Sequence, residues 1–391
     1  MHIAIVLIRY KPYGGYERQA ALLADTLLAR GHKITIISSQ WTGEKKPGLE
    51  FIQLPIIKLS SWLKTGSFAL MSRAVINKKS FDLTIAFDRS LTMDIYRAGS
   101  ACHKSWLAAR IKANGLKARI SIAINPLNRV INRIEKSLFA NLKKTQGTVV
   151  VLSSASAKQI QNHYHLPSEQ FKIIPPAVDF NRFKDQDSLE FRSKAREKLN
   201  LQKQDRLLLH VGSGFRIKGV ERIIRALPHL QNIEDYKFRF IAIGADKKGI
   251  RQNQALAKKL AVDHMVEFPG GVENVGEYYA AADCFLLLSM LETFGAVTAE
   301  ALWFGLPTLI GRGAGSAGLI SNSTLGEVVE ESVTPDKLAQ MINVCLNRDY
   351  NNNSKQDINN IKQQRRNLSA KCDLTTVMDQ YLELIETKKR V

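Results

Sequence analysis

Apolar positions along this chain fall into two rhythms, short unbroken runs and longer stretches at helical spacing, and the two alternate. The run Ile3 to Ile8 is apolar throughout and rich in β-branched residues. It predicts a strand buried on both faces, as in a parallel sheet. A turn with Pro12, Gly14 and Gly15 follows, and then Ala20, Leu23, Ala24, Leu27 and Leu28 recur at helical spacing. Gly31 stands where the residue just past a helix belongs. A second strand is predicted at Ile34 to Ile37.

The second half restarts in the same way. Leu207 to Val211 reads as a strand, Gly212-Ser213-Gly214 as a turn, and Val220, Ile223, Ile224 and Leu227 as one helix face. Phe238 to Ile243 reads as the next strand. Such alternation predicts an α/β chain of two Rossmann-like domains facing each other. The join is expected near Pro175-Pro176, because two prolines cannot sit inside a helix. The expected division is residues 1–177, then 178–373, with a final amphipathic helix in 374–391 that can pack back on the first domain. Arg192 to Leu199 reads as a charged surface helix.

Length agrees with two domains: 391 residues exceed one ordinary core. Apolar residues make up 45%, which excludes disordered and collagen-like classes. The formal charge of +20 changes the picture more. It predicts attraction to phosphate in an anionic substrate, lipid or nucleic acid. No nucleic-acid module accompanies it, so a nucleic-acid partner is not expected. The four cysteines, Cys102, Cys284, Cys345 and Cys372, form no C-x-x-C pair and read as buried thiols of a reducing compartment. No apolar run reaches the span of about 20 residues that crosses a bilayer, so the expectation is a non-integral protein.

The sharpest chemical signal runs from Leu291 to Pro307. It holds Glu292, Phe294, Gly295 and Glu300, and the strand Cys284 to Leu288 leads into it. A helix predicted from about Gly295 puts Glu292 in the preceding loop and Glu300 in the second turn. The backbone N–H groups of Gly295, Ala296 and Val297 then form an anion site. A diphosphate there has a carboxylate on either side, one for sugar hydroxyls and one for ribose hydroxyls. Arg216 and Lys218, in the turn Gly212 to Gly219, can neutralise a departing diphosphate. Gly14 and Gly15 can let backbone approach a ligand. Gly313 to Gly318 fits G-x-G-x-x-G, but no long helix or suitable acid follows, so it reads as a mobile loop. Asp185-Gln186-Asp187 reads as a solvated linker and not a metal site.

Together these residues resemble glycosyltransferase family 4, whose members have the GT-B fold, two facing Rossmann-like domains with a cleft between them. The resemblance covers nearly the whole chain: Gly14-Gly15, Arg30-Gly31-His32, Val151 to Ser154, Ile174 to Asp179, Lys218-Gly219, Tyr279 to Ser289 and Glu292 to Pro307. Within the family, Lys11 to Gly15 and Asp94 to Gly99 resemble the lipopolysaccharide core glucosyltransferase group. The resemblance implies retaining transfer of a hexose from a nucleotide sugar, usually UDP-linked, with no metal or other cofactor. Glu292 would hold the donor sugar, Glu300 the ribose and Lys218 the diphosphate, while Gly14 and Gly15 would line the cleft. His103 matches a histidine beside the reacting sugar. Two departures stand out: Ser100 replaces an acid, and Ile217 sits where the family carries a cation, leaving Arg216 displaced by one position.

The implied acceptor is a lipopolysaccharide core or other lipid-linked glycan. Between His103 and Thr145 ten cations interleave with bulky apolar residues, and only Glu135 opposes them. That mixture suits helices lying in a headgroup layer. The expected location is the inner face of the cytoplasmic membrane, held peripherally on an anionic surface. A nucleotide-sugar epimerase, a glycogen-synthase-like polymerase and a nonenzymatic basic phosphate-binding or nucleic-acid-binding protein remain the alternatives from sequence.

Overall fold

The computed structural model describes residues 1–10, 15–44, 46–230, 236–350 and 355–389. The chain divides into two compact units, Met1–Ala177 with Val377–Val391, and Val178–Thr376.

The first unit is built on seven parallel strands: β1 (His2–Val6), β2 (Lys33–Ser38), β3 (Leu49–Gln53), β4 (Leu83–Ala86), β5 (Ile95–Ala98), β6 (Thr148–Val151) and β7 (Phe171–Ile173). Their order is β3-β2-β1-β4-β5-β6-β7. Residues Ile3 to Val6 are fully buried, because helices cover both faces of the sheet. The helix Tyr16–Ala29 ends as its sequence predicts. Gly31 takes φ +77°, its N–H donates to the Leu28 carbonyl and that of His32 to Leu27, the bonding pattern of a Schellman cap. The helix Leu374–Lys389 belongs to this unit from Val377 onward. It buries Val377, Tyr381 and Ile385, and Lys388 Nζ donates to the Gln146 carbonyl.

The second unit has six parallel strands: β8 (Asp205–Val211), β9 (Lys237–Ile243), β10 (Val266–Gly270), β11 (Cys284–Leu287), β12 (Thr308–Gly311) and β13 (Gly326–Val329). They are ordered β10-β9-β8-β11-β12-β13. The strand order therefore reverses between β1 and β4 in one unit and between β8 and β11 in the other. In doubly wound sheets, the loops leaving the carboxyl ends of such neighbouring strands flank the ligand crevice. In the second unit those loops are 212–219 and 288–295.

One sequence expectation gains a detail and another needs correction. The helix Leu189–Lys198 is the charged, largely exposed helix expected there. Arg192 Nη2 and Arg196 Nη1 lie 2.6 and 3.1 Å from the carboxylate of Asp283, which is buried. A buried anion is tolerated only when paired, and the two arginines tie the helix to the sheet through it. The Gly313 to Gly318 stretch is not a loose loop. Gly315 N–H donates to the Glu292 carbonyl and Glu292 N–H to that of Gly313, so the glycine segment pairs with the loop carrying Glu292. All four cysteines are free and buried.

Candidate active site

The two loops at the second unit's switch point are stitched to each other. Met290 N–H donates to the Ile217 carbonyl at 2.9 Å. Gly212 takes φ +132° and Gly214 φ +83°, which lets the chain fold back after β8. Phe215 is the anchor of that turn, fully buried, with its N–H donating to Asp246 Oδ2 at 3.0 Å. Lys218 thus rises from a short, pinned turn. Its Nζ lies 2.7 Å from Glu292 Oε2, and both side chains are partly exposed. An ammonium carries three N–H donors, so this pair leaves capacity for phosphate oxygens. Arg216 is exposed on the same turn.

Glu292 is held by backbone on both sides, through its N–H to Gly313 and its carbonyl to Gly315, while Ser316 N–H donates to the Phe294 carbonyl. Phe294 is buried, so this predicted site residue anchors the loop by packing. The helix follows at Ala296–Trp303, with Gly295 in the left-handed region at φ +88° and no side-chain cap. Ala296 and Val297 form its first turn and are half-buried. Glu300 lies in the second turn and is buried. Arg182 Nη2 lies 2.6 Å from Glu300 Oε1, and the Tyr279 hydroxyl donates to Oε2 at 2.9 Å. Burial and the neighbouring carboxylate push the Tyr279 phenol well above its ordinary pKa, so it stays a proton donor.

The structure brings Lys218, Glu292, Gly295 to Val297 and Glu300 into one loop–helix region. Gly15 and His103 belong to the first unit. Gly14 lies outside the described residues. Gly15 starts the helix Tyr16–Ala29 and is exposed, with open space where a Cβ would stand. His103 opens the helix His103–Ile124 and is buried, stacked on Trp106 with ring centroids 5.7 Å apart. Its Nε2 faces Asn128 Oδ1 at 3.2 Å, and Asn128 Nδ2 donates to the Ile122 carbonyl. That second bond orients the amide, so His103 donates from Nε2 and keeps its lone pair on Nδ1. Burial and the Arg89 charge lower its pKa, favouring the neutral ring.

Sequence reading missed four members of these networks. Arg182 and Tyr279 hold Glu300. Asp88, after β4, accepts the Ile8 N–H at 2.7 Å and joins the two switch-point loops of the first unit. Glu135 is the fourth: it is buried, accepting from Arg89 Nε at 2.8 Å, the Tyr164 hydroxyl at 2.8 Å and the His103 N–H. It therefore does not oppose the surface cations of its segment. Spacing could not reveal these four, because each meets its partner from a distant part of the chain.

The basic segment also narrows. Ile134, Leu138 and Phe139 face the core, whereas Leu116, Ile120 and Ile124 are 70%, 56% and 73% exposed. Lys112, Lys117 and Arg119 are exposed beside them. A second basic stretch, this one free of acids, runs between Glu50 and Asp82, with Lys58, Lys64, Arg73, Lys78 and Lys79. It exposes Leu59, Trp62 and Leu70. Among the described residues no helix is long and apolar enough to cross a membrane.

Two switch-point sheets and an anion-ready loop with two carboxylates define a class, and the comparisons agree. Residues 13–182 match the Glycosyltransferase Family 4 model and residues 191–365 the Glycosyl transferases group 1 model. The chain belongs to these glycosyltransferases and has the GT-B fold. It is similar to the lipopolysaccharide glucosyltransferase WaaG of Escherichia coli, with 29% identity over 346 residues, 88% of this chain and 90% of WaaG. A WaaG crystal structure superposes with a TM-score of 0.79 at 26% identity, covering 98% of this chain and 99% of that one. An uncharacterized glycosyltransferase of Methanocaldococcus jannaschii is 26% identical over 92% of this chain and 93% of its own. HepE of Anabaena, solved with UDP-glucose, shares the fold at 17% identity and a TM-score of 0.68, covering 99% of this chain and all of HepE.

Proposed function

We propose that this glycosyltransferase moves a hexose, with retention, from a UDP-linked donor such as UDP-glucose to a lipopolysaccharide core or related lipid-linked glycan at the cytoplasmic membrane face. One observation carries the reading: Lys218 and Glu292 meet at 2.7 Å where the β8 and β11 loops converge, directly before an uncapped helix N-terminus. The bond from the anomeric carbon to the diphosphate oxygen breaks, and a bond to the acceptor oxygen forms as that hydroxyl's proton passes to the departing diphosphate. Lys218 and the N–H groups of Gly295 to Val297 offset the charge growing on the diphosphate. Arg216 adds a cation on the exposed side of the turn. Glu292 accepts hydrogen bonds from the sugar, and Glu300 from the ribose. Because a lysine and a helix terminus supply the positive charge, the reading calls for no metal or other cofactor. By the family resemblance we assign His103 to the reacting sugar, and Gly14 and Gly15 to the lining of the ligand cleft.

The similarity to WaaG and the UDP-glucose bound in HepE support the donor and acceptor classes. The exposed Leu116, Ile120 and Ile124 among Lys112, Lys117 and Arg119 support docking on an anionic bilayer. The test is transfer from UDP-glucose to lipopolysaccharide lacking its outer core, read by mass spectrometry of the glycolipid and by NMR of the new linkage. An added hexose with the donor's anomeric configuration supports the reading. UDP release without a new glycoside, or an inverted linkage, overturns it.

A further inference from the structure

Glu300 is held from both sides by residues outside its own helix. Arg182 reaches it from the short turn Phe180–Phe183, which the Asp179 carboxylate caps through the Asn181 N–H. Phe180 and Phe183 are both buried and bracket Arg182 in sequence, which roots the turn. Phe183 packs edge-on against Tyr279 and Phe304, and the Arg182 guanidinium lies over the Phe183 ring at 4.4 Å. The arginine is thereby pre-set by the same aromatic wall that holds Tyr279. The two donors take different oxygens of one carboxylate, Arg182 on Oε1 and Tyr279 on Oε2. Each oxygen keeps a second lone pair, so the carboxylate stays an acceptor for a vicinal diol, with its plane fixed.

We propose that Arg182 is a positioning residue: with Tyr279 it holds the Glu300 carboxylate in one orientation, and so lets the site recognise a ribose diol and reject 2′-deoxyribose. This rests on the ribose reading of Glu300. An orienting charge costs nothing at the moment of binding, whereas a freely rotating carboxylate must be ordered by the ligand. A hydrogen bond to an ionised group is worth about 10- to 100-fold in affinity, which sets the discrimination expected.

The experiment measures, by calorimetry, the affinities of UDP, ADP and GDP and their 2′-deoxy counterparts for the full chain, taking the base that binds most tightly. Wild type is expected to favour the ribose form by about 10- to 100-fold. Glu300→Gln and Arg182→Ala should each bring the ratio below about threefold, and Arg182→Lys should restore part of it, since charge returns without the planar fork. In transfer assays Arg182→Ala should raise the donor KM while kcat at saturating donor stays within about threefold. A thermal melt checks folding, with Arg182→Gln in reserve if the alanine variant unfolds. Loss of discrimination in Glu300→Gln but a wild-type ratio in the Arg182 variants overturns the positioning role and leaves the ribose reading standing. A wild-type ratio in Glu300→Gln, or no preference or binding in wild type, overturns the ribose reading and the proposal with it.

Discussion

The Lys218 ammonium lies 2.7 Å from the Glu292 carboxylate, joining two loops that are 74 residues apart in sequence. The two residues were expected to serve different parts of the donor, one the diphosphate and one the sugar, and they share a contact. Replacing either should lower turnover by about 10²- to 10³-fold. Because they act as a unit, the double variant should fall far less than the product of the two single losses. Lys218→Arg should rescue only partly, since the guanidinium differs in shape. Steady-state kinetics of the four-member cycle checks this, and near-normal turnover in Lys218→Ala would rule out the diphosphate role.

Glu300 accepts from Arg182 and from the buried Tyr279 hydroxyl, so its removal has two consequences. Glu300→Ala should weaken UDP binding. It should also destabilise the second unit by about 1–3 kcal/mol, because Arg182 loses its carboxylate and the buried Tyr279 hydroxyl falls back on the Val297 carbonyl at 3.3 Å. Tyr279→Phe in the same background should recover part of that stability without recovering affinity. Calorimetry and denaturant melts of the two variants separate the effects, and unchanged UDP affinity in Glu300→Ala would sink the ribose assignment.

His210 supplies a pH-dependent prediction. It is fully buried in β8, with Nδ1 2.9 Å from the Leu286 carbonyl and Nε2 3.2 Å from that of Gly212. Burial lowers its pKa from 6.5 to about 4, and the Lys218 charge acts in the same direction. The unfolded chain therefore binds this proton near pH 6.5 and the native chain only near pH 4. Between those values the unfolded state holds more protons, so stability declines as pH falls, by up to about 3 kcal/mol from this group. His210→Gln should flatten that part of the profile. Urea melts from pH 7 to pH 4 check it, and parallel profiles for variant and wild type would contradict it.

On the membrane, vesicles containing anionic lipid should bind the protein and neutral vesicles should bind it weakly. Changing Lys112, Lys117 and Arg119 to Glu should abolish sedimentation with anionic vesicles and turnover of a lipid-borne acceptor. Transfer to a soluble acceptor should survive. Higher salt should release the wild type, since exposed charges are screened within about 10 Å at 0.1 M. Equal binding to neutral and anionic vesicles would defeat the electrostatic reading.

Glu135 offers a test of the first unit. It is a buried anion held by Arg89, Tyr164 and the His103 N–H. Glu135→Ala strands a largely buried cation, so a loss of about 3–5 kcal/mol is expected, far beyond a surface substitution. A change below 1 kcal/mol in denaturant melts would show that the network relaxes around the gap.

Local pattern was enough to read the parallel-sheet architecture. Ile3 to Val6 and Leu207 to Leu209 are buried on both faces, and only a sheet covered by helices buries consecutive residues that way. The helix beginning at Ala296, with Glu292 before it and Glu300 inside it, was also legible, because a glycine–helix boundary and a 3.6-residue period are local properties. The identity of each carboxylate's partner was not. Arg182 lies 118 residues before Glu300, and Glu135 lies 46 residues after Arg89. The same limit explains the basic segment, where sequence counted Glu135 against the cations and could not tell exposed Leu116 from core Leu138. Composition records which charges and apolar groups a segment carries. Which of them face inward depends on the neighbouring elements, and strand order and helix packing settle that only when the chain is folded.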